Sequence, residues 1–190
     1  MNYDLQKADL STVLSEGRLL ADETKRIFGK LSTAQINWKP SEGEWSGGQC
    51  FDHLIISNRP YFSIVGEILQ GKRWPRLWER TPLLPALFAT LLIKTLRPDS
   101  RRKVKARKAF YPSSSRIDPA IVASFLEQQD GLLHLMEASR GLDLEGITIT
   151  SPVSSLITYS LMDAYRIVVV HEQNHFVQAR RVLEMPGFPT

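Results

Sequence analysis

The stretch SLMDAYRIVVVHEQNHFVQARRVL, Ser160 to Leu183, supports two readings that lead to different folds. HEQNH, His171 to His175, matches the H-E-x-x-H pattern of zinc proteases. The surrounding residues repeat instead at three and four. At 100° per residue, Ser160, Ala164, Ile167, Val168, His171, His175, Gln178 and Val182 fall within about 60° of one direction. Both histidines therefore stand on the apolar stripe of one amphipathic helix, begun by Ser160 with Asp163 as its capping partner and ended before Pro186. A protease of this kind needs a third ligand well downstream, or a further glycine and histidine after the motif. Only ARRVLEMPGFPT follows Gln178, without a histidine, and no edge strand that would hold a peptide is visible. The helical reading is the one to build on.

Residues at i and i+4 of a helix sit about 5–6 Å apart at Cβ, so His171 and His175 can converge on one ion; two buried neutral rings can equally be satisfied by hydrogen bonds alone. A third ligand comes from an earlier helix. Ser46, followed three residues later by Gln49, makes a capping box that starts a helix running to about Gly71, with Pro60 expected to kink it. The same angular count puts His53 with Ser46, Gln49, Cys50, Ile56, Ser57, Pro60 and Ile64 on its core-facing stripe. Cys50, one turn before His53, reads as a small buried thiol ahead of a fourth ligand. His134 is turned by about 160° from the stripe of Phe125, Leu132 and Met136, beside Glu127, Asp130 and Glu137, and should lie at the surface.

Two more helices complete the pattern. Leu10, Val13, Leu14, Gly17, Leu20, Ala21, Thr24, Ile27, Phe28 and Leu31 mark the first; Asp118 as cap and Pro119 in the first turn open another that runs to about Arg140, ended by Gly141. Period-two alternation is confined to short pieces near Ile147 to Thr150. The expected fold is all-α, a four-helix bundle in a single domain spanning residues 1–190, with a long basic insertion at 72–115 between the second and third helices. A chain of 190 residues, 43% hydrophobic, suffices for one core. Trp38 and Trp45 are expected to pack the corner between the first two helices.

No signal-peptide pattern is visible, and the longest apolar run, Leu83 to Leu96, falls short of the ~20 residues that a bilayer crossing needs. A soluble protein is expected, and the lone cysteine makes the cytoplasm the working choice. The net charge of +4 is uneven: residues 72–108 hold twelve Lys or Arg against Glu79 and Asp99, an excess of ten, which leaves the remainder at −6. That segment, with Trp74 and Trp78, carries the alternative function: a non-catalytic metal-binding module that contacts nucleic acid or an anionic membrane surface. Such runs also serve as solvated faces or dimer contacts, and a homodimer is expected. The segment should be the most mobile or most partner-dependent part of the fold.

INWKPSEGEWSGGQCFDHL, residues 36–54, with HEQNHFVQARRV, residues 171–182, resembles the DinB-like (DinB/YfiT) metal-binding four-helix bundles. The matching positions are Trp38, Pro40, Trp45, Ser46, His53, Leu54, His171, His175 and Gln178. The resemblance implies an up-down-down-up bundle with a divalent ion, zinc or nickel, on His53, His171 and His175. It also implies transfer of a small-molecule thiol, or metal-dependent hydrolysis or isomerisation, where family members have an assigned activity. Three neutral imidazoles leave the full double charge on such an ion and a coordination position open, the pattern of catalytic zinc. Glu172 is a candidate proton carrier or outer partner, an exposed glutamate being the other reading, and Gln178 a candidate buried polar contact near the ion. A small electrophilic substrate and a low-molecular-weight thiol are the expected partners, with thiol transfer ranked above hydrolysis.

Overall fold

Two buried serines set the helices that carry the histidines. Ser46 Oγ accepts from the Gln49 amide at 3.2 Å while Gln49 Oε1 accepts from the Ser46 amide at 3.2 Å, and α3 runs from there over Gly47–Leu69, unbroken through Pro60. Ser160 Oγ likewise accepts from the Asp163 amide at 3.0 Å to start α6, Leu161–Leu183. Serine oxygens at these positions satisfy amides that the first helical turn cannot bond internally. Ser46→Ala should therefore lower stability by about 0.5–2 kcal/mol in denaturant unfolding. An unchanged midpoint would show that the cap is redundant.

The computed structural model describes residues 1–73, 85–100 and 107–190. Among these, the remaining helices are α1 (Leu10–Phe28), α2 (Thr33–Asn37), α4 (Pro85–Leu96) and α5 (Ile121–Ala138), and the fold is mostly helical. A two-stranded antiparallel hairpin, β1 (Thr148–Thr150) and β2 (Thr158–Ser160), pairs Ile149 with Tyr159. Helix α5 starts three residues beyond the expected cap. Asp118 spends its carboxylate on the Ala120 amide at 2.8 Å and its carbonyl on the Ile121 amide at 2.9 Å, forming a turn before the helix, which then ends at Ala138.

The long helices meet through specific pairs. Ser11 receives Arg140 at 3.3 Å and the Gly17 carbonyl receives Gln129 at 3.4 Å, which joins α1 to α5. Ahead of α1, the Ala8 carbonyl takes Arg166; Glu16 takes Gln173, and Phe28 lies edge-on to Phe176, joining α1 to α6. Phe51 meets Phe125, and the Ile55 carbonyl takes Gln128, between α3 and α5. His53 meets His171, and Tyr61 meets Tyr159 just before α6.

Two apolar clusters fill the interior. One includes Leu14, Tyr61, Leu132 and Val170; the other includes Leu20, Leu54, Phe125 and Phe176. On each helix the residues between them are small or polar: Gly17 on α1, Asn58 on α3, Gln129 on α5, and Glu172 and Gln173 on α6, the four polar ones buried. The site described below sits at this level.

Helix α4 changes the reading of the apolar run Leu83 to Leu96. Ala89 and Ile93 are 1% exposed within the larger cluster and α4 packs on α6 and β2, so these two side chains cover protein, while Leu91 is 52% exposed. No helix among the described residues is long and apolar enough to cross a membrane. The expectation of mobility for residues 72–108 falls in part, with Trp74 and Trp78, on 74–84 and 101–106, outside the described residues.

Candidate metal centre

His53, on the second turn of α3, and His171 and His175, one turn apart in the middle of α6, come together as their helical phases require. Their ring centroids are 4.5–5.1 Å apart, and each offers one nitrogen such that all three lie within 4.8 Å of one another. His53 is buried; the other two are half-buried. His53 Nδ1 donates to the Phe110 carbonyl at 2.5 Å. A carbonyl has no hydrogen to give, so the ring proton sits on Nδ1 and the lone pair on Nε2. That Nε2 stands 3.2 Å from His171 Nε2.

A tetrahedral ion with metal–nitrogen distances of 2.0–2.1 Å places its ligand nitrogens about 3.3 Å apart, a spacing that this pair matches. The same separation also admits a hydrogen bond donated by His171 Nε2 when no ion is present. Burial holds all three rings toward their neutral form. It depresses His171 well below its ordinary value, helped by His175 and His53, and takes His175 down to about 3, helped by His53. For His53, burial lowers the value against the opposing Phe110 carbonyl and the Asp52 charge. Neutral rings offer lone pairs and no charge that would repel a cation. His175 Nδ1 is buried without a hydrogen bond, and Gln178, half-buried one turn on, favours the ring's charged form through its side chain. These features fit a divalent ion held by three imidazoles.

The other expected residues divide. Cys50 is fully buried in the smaller cluster with its thiol pushed up to about 12 by burial, and it is outside the ligand group found among the described residues. His134 is 77% exposed and pairs with Asp130 on its own helix at 3.4 Å. Glu172 is fully buried rather than exposed, and its oxygens accept from Asn58 Nδ2 at 2.7 Å and Gln129 Nε2 at 2.9 Å. Burial raises its carboxyl to about 8 against those two bonds. Trp38 packs against Phe188 of the C-terminal tail. Trp45 packs against the smaller cluster, which includes Phe28 and Ile36, and also does more than corner packing: its ring stacks on His175 at 5.9 Å and 24°, tilts on His53 at 5.0 Å, and meets the half-exposed Tyr111 edge-on.

A strap absent from the sequence reading completes the site. Residues 110–117 run beside α2 and the start of α3, tied at Phe110 by His53 and at the Ser113 amide by Asp52 Oδ2 at 2.5 Å. Gln49 Nε2 donates to the Ser114 carbonyl at 3.0 Å, and Asn37 bonds both the amide and the carbonyl of Ile117. The signal in the sequence is a pair of polar residues near the start of α3, Gln49 and Asp52, on buried turns.

The sequence model of the DinB superfamily matches residues 18–179, a span that contains the three histidines, Trp45, Asp52 and the strap. No curated protein and no solved structure matches the chain.

Proposed function

We propose, from the premise that the chain belongs to the DinB superfamily, that His53, His171 and His175 hold one divalent ion, zinc or nickel, at the active site of an enzyme acting on a small electrophile. The observation that carries this reading is the pair of Nε2 atoms 3.2 Å apart, one with its lone pair exposed because Phe110 holds the proton on the other side of the ring. An ion bound there supplies Lewis acidity, which lowers the pKa of a thiol or water so that either acts as a nucleophile near neutral pH. Thiol transfer ranks above hydrolysis. The groups beside the ligands are poor general bases near neutral pH: burial raises the Glu172 carboxyl to about 8, Asp52 is engaged by the Ser113 amide, and the rings, as ligands, have no free lone pair. Trp45 and Tyr111 wall the cluster with aromatic surface, which suits a small ligand carrying an apolar body. Gln178, beside His175, is placed to orient a polar substrate group, and Glu172 braces α6 behind the ligands.

The helix pairs support an up-down-down-up bundle around this site. Partners on α5 descend as α1 ascends, partners on α6 rise with α1, and α3 runs against α6.

The purified protein should carry, or take up from zinc or nickel solution, about one ion per chain by elemental analysis. Its cobalt form should show nitrogen and oxygen ligation. A cobalt–thiolate absorption band would bring Cys50 into the coordination sphere and sink the open-site reading. For the reaction itself, calorimetry of the zinc-loaded protein should show binding of a low-molecular-weight thiol; no heat, together with an unchanged cobalt spectrum, would overturn thiol transfer.

A further inference from the structure

We infer that Asp52 is a positioning residue for the metal centre: by holding the Ser113 amide, its carboxylate docks the strap so that the Phe110 carbonyl fixes His53 with its proton on Nδ1. Asp52 is 8% exposed, and among the described residues no cation pairs with it. A buried carboxylate is costly unless bonded, and its partner here is a backbone amide on the strap. One residue before His53 on α3, it is turned by about 100°, so the two side chains reach the strap at neighbouring points, Phe110 and Ser113.

The strap has no nearer anchor to offer. The Tyr111 amide is taken by the Lys108 carbonyl at 3.1 Å, and Pro112 has no N–H. Ser113 is thus the first amide after Phe110 available to α3. The remaining ties, at Ser114 and Ile117, fix the far end of the segment. Without Asp52, the strap keeps the Gln49–Ser114 bond and the Trp45–Tyr111 ring contact but loses the α3 side-chain bond closest in sequence to the Phe110 carbonyl apart from that of His53 itself, so the carbonyl that sets the ring's tautomer is held less firmly from outside. Partners of this kind, which orient a ligating histidine, typically change metal affinity 10–100-fold when removed.

The inference rests on the metal reading only for its affinity arm; its tautomer arm is read in metal-free protein. Long-range 15N–1H correlation of 15N-labelled protein at pH 7–8 should show wild-type His53 in the single Nδ1–H form. Asp52→Ala should give a mixture of tautomers and a 10–100-fold weaker affinity for zinc alone, measured against a chromophoric chelator. Asp52→Asn, whose Oδ1 accepts the same amide, should restore both. Ser113→Pro, which removes the donor outside any helix, should reproduce Asp52→Ala, and the double variant should lose no more than either single one. If circular dichroism shows that Asp52→Ala does not fold, Ser113→Pro carries the same reading alone. An unchanged tautomer in the folded variants overturns the inference. So does a loss in Asp52→Asn as large as in Asp52→Ala, which would make the charge and not the strap bond responsible. If the wild-type protein binds no zinc, the metal reading fails and the tautomer measurement still decides the role of Asp52.

Discussion

His53→Ala lowers zinc affinity by more than about 100-fold, beyond what loss of an orienting partner costs, and leaves helix content close to wild type. The variant removes one of three nitrogens and the only one whose lone pair is fixed by an outside bond. It also leaves the Phe110 carbonyl without its donor, which costs about 1–3 kcal/mol of stability if water does not replace it. That is too little to unfold helices whose caps and apolar clusters are intact. His134→Ala should change neither quantity, because that ring is 77% exposed and touches only Asp130 of its own helix. Chelator competition and circular dichroism on the two variants decide the matter; equal effects would mean that the three-histidine cluster does not hold the ion.

The second large effect is on stability against pH, and it belongs to Glu172. Its carboxyl is raised from 4.5 to about 8, first by burial, with Gln129 and Asn58 opposing. Below the unfolded value both states carry the proton; between 4.5 and about 8 the folded state keeps a proton that the unfolded chain has lost. The stability associated with the protonated form is therefore complete below the unfolded value and is lost as pH rises through the folded one, with a slope approaching about 1.4 kcal/mol per pH unit. Protonated Glu172 needs an acceptor, and a half-turn of the Gln129 amide supplies Oε1, which has no partner as placed, at the expense of the long bond to the Gly17 carbonyl. Glu172→Gln fills the same volume and cannot ionise. Its unfolding free energy, minus that of the wild-type protein at each pH, should rise steadily from pH 5 to pH 8. Taking the difference matters, because the depressed histidines contribute the opposite slope below their ordinary value and cancel between the two proteins. A flat difference would show that Glu172 ionises as an exposed carboxylate does.

What could be read from the sequence was local. The Ser46–Gln49 and Ser160–Asp163 caps fix where α3 and α6 begin, and from those starting points a rotation of 100° per residue carries His53, His171 and His175 to one side of each helix. Cys50 as a core thiol and His134 as a surface ring follow from the same count. The start of α5 differs from the expected cap because an aspartate before a proline serves a turn as well as a cap, and here Asp118 takes the turn. Strands of three residues are too short to display alternation, so the hairpin before α6 left little trace. Helix α4 read as a link with an apolar centre, and only its docking on α6 shows what that centre covers. The Phe110 carbonyl lies 57 positions from the ring it orients, and a backbone group carries no letter of its own.

That last point extends along the whole strap. In each of these hydrogen bonds to the helices, the helix contributes the side chain and the strap contributes main chain: His53, Asp52, Gln49 and Asn37 on one side, carbonyls and amides of Phe110, Ser113, Ser114 and Ile117 on the other. The division of labour is that of a lock cut entirely into one partner. The exposed side chains of the strap, Ser113 to Arg116, can drift without disturbing the His53 ring, provided the length from 110 to 117 is kept and no proline takes the place of a donating amide. An insertion of one residue there would do more harm to the centre than replacing the exposed side chains of Ser113, Ser114, Ser115 and Arg116.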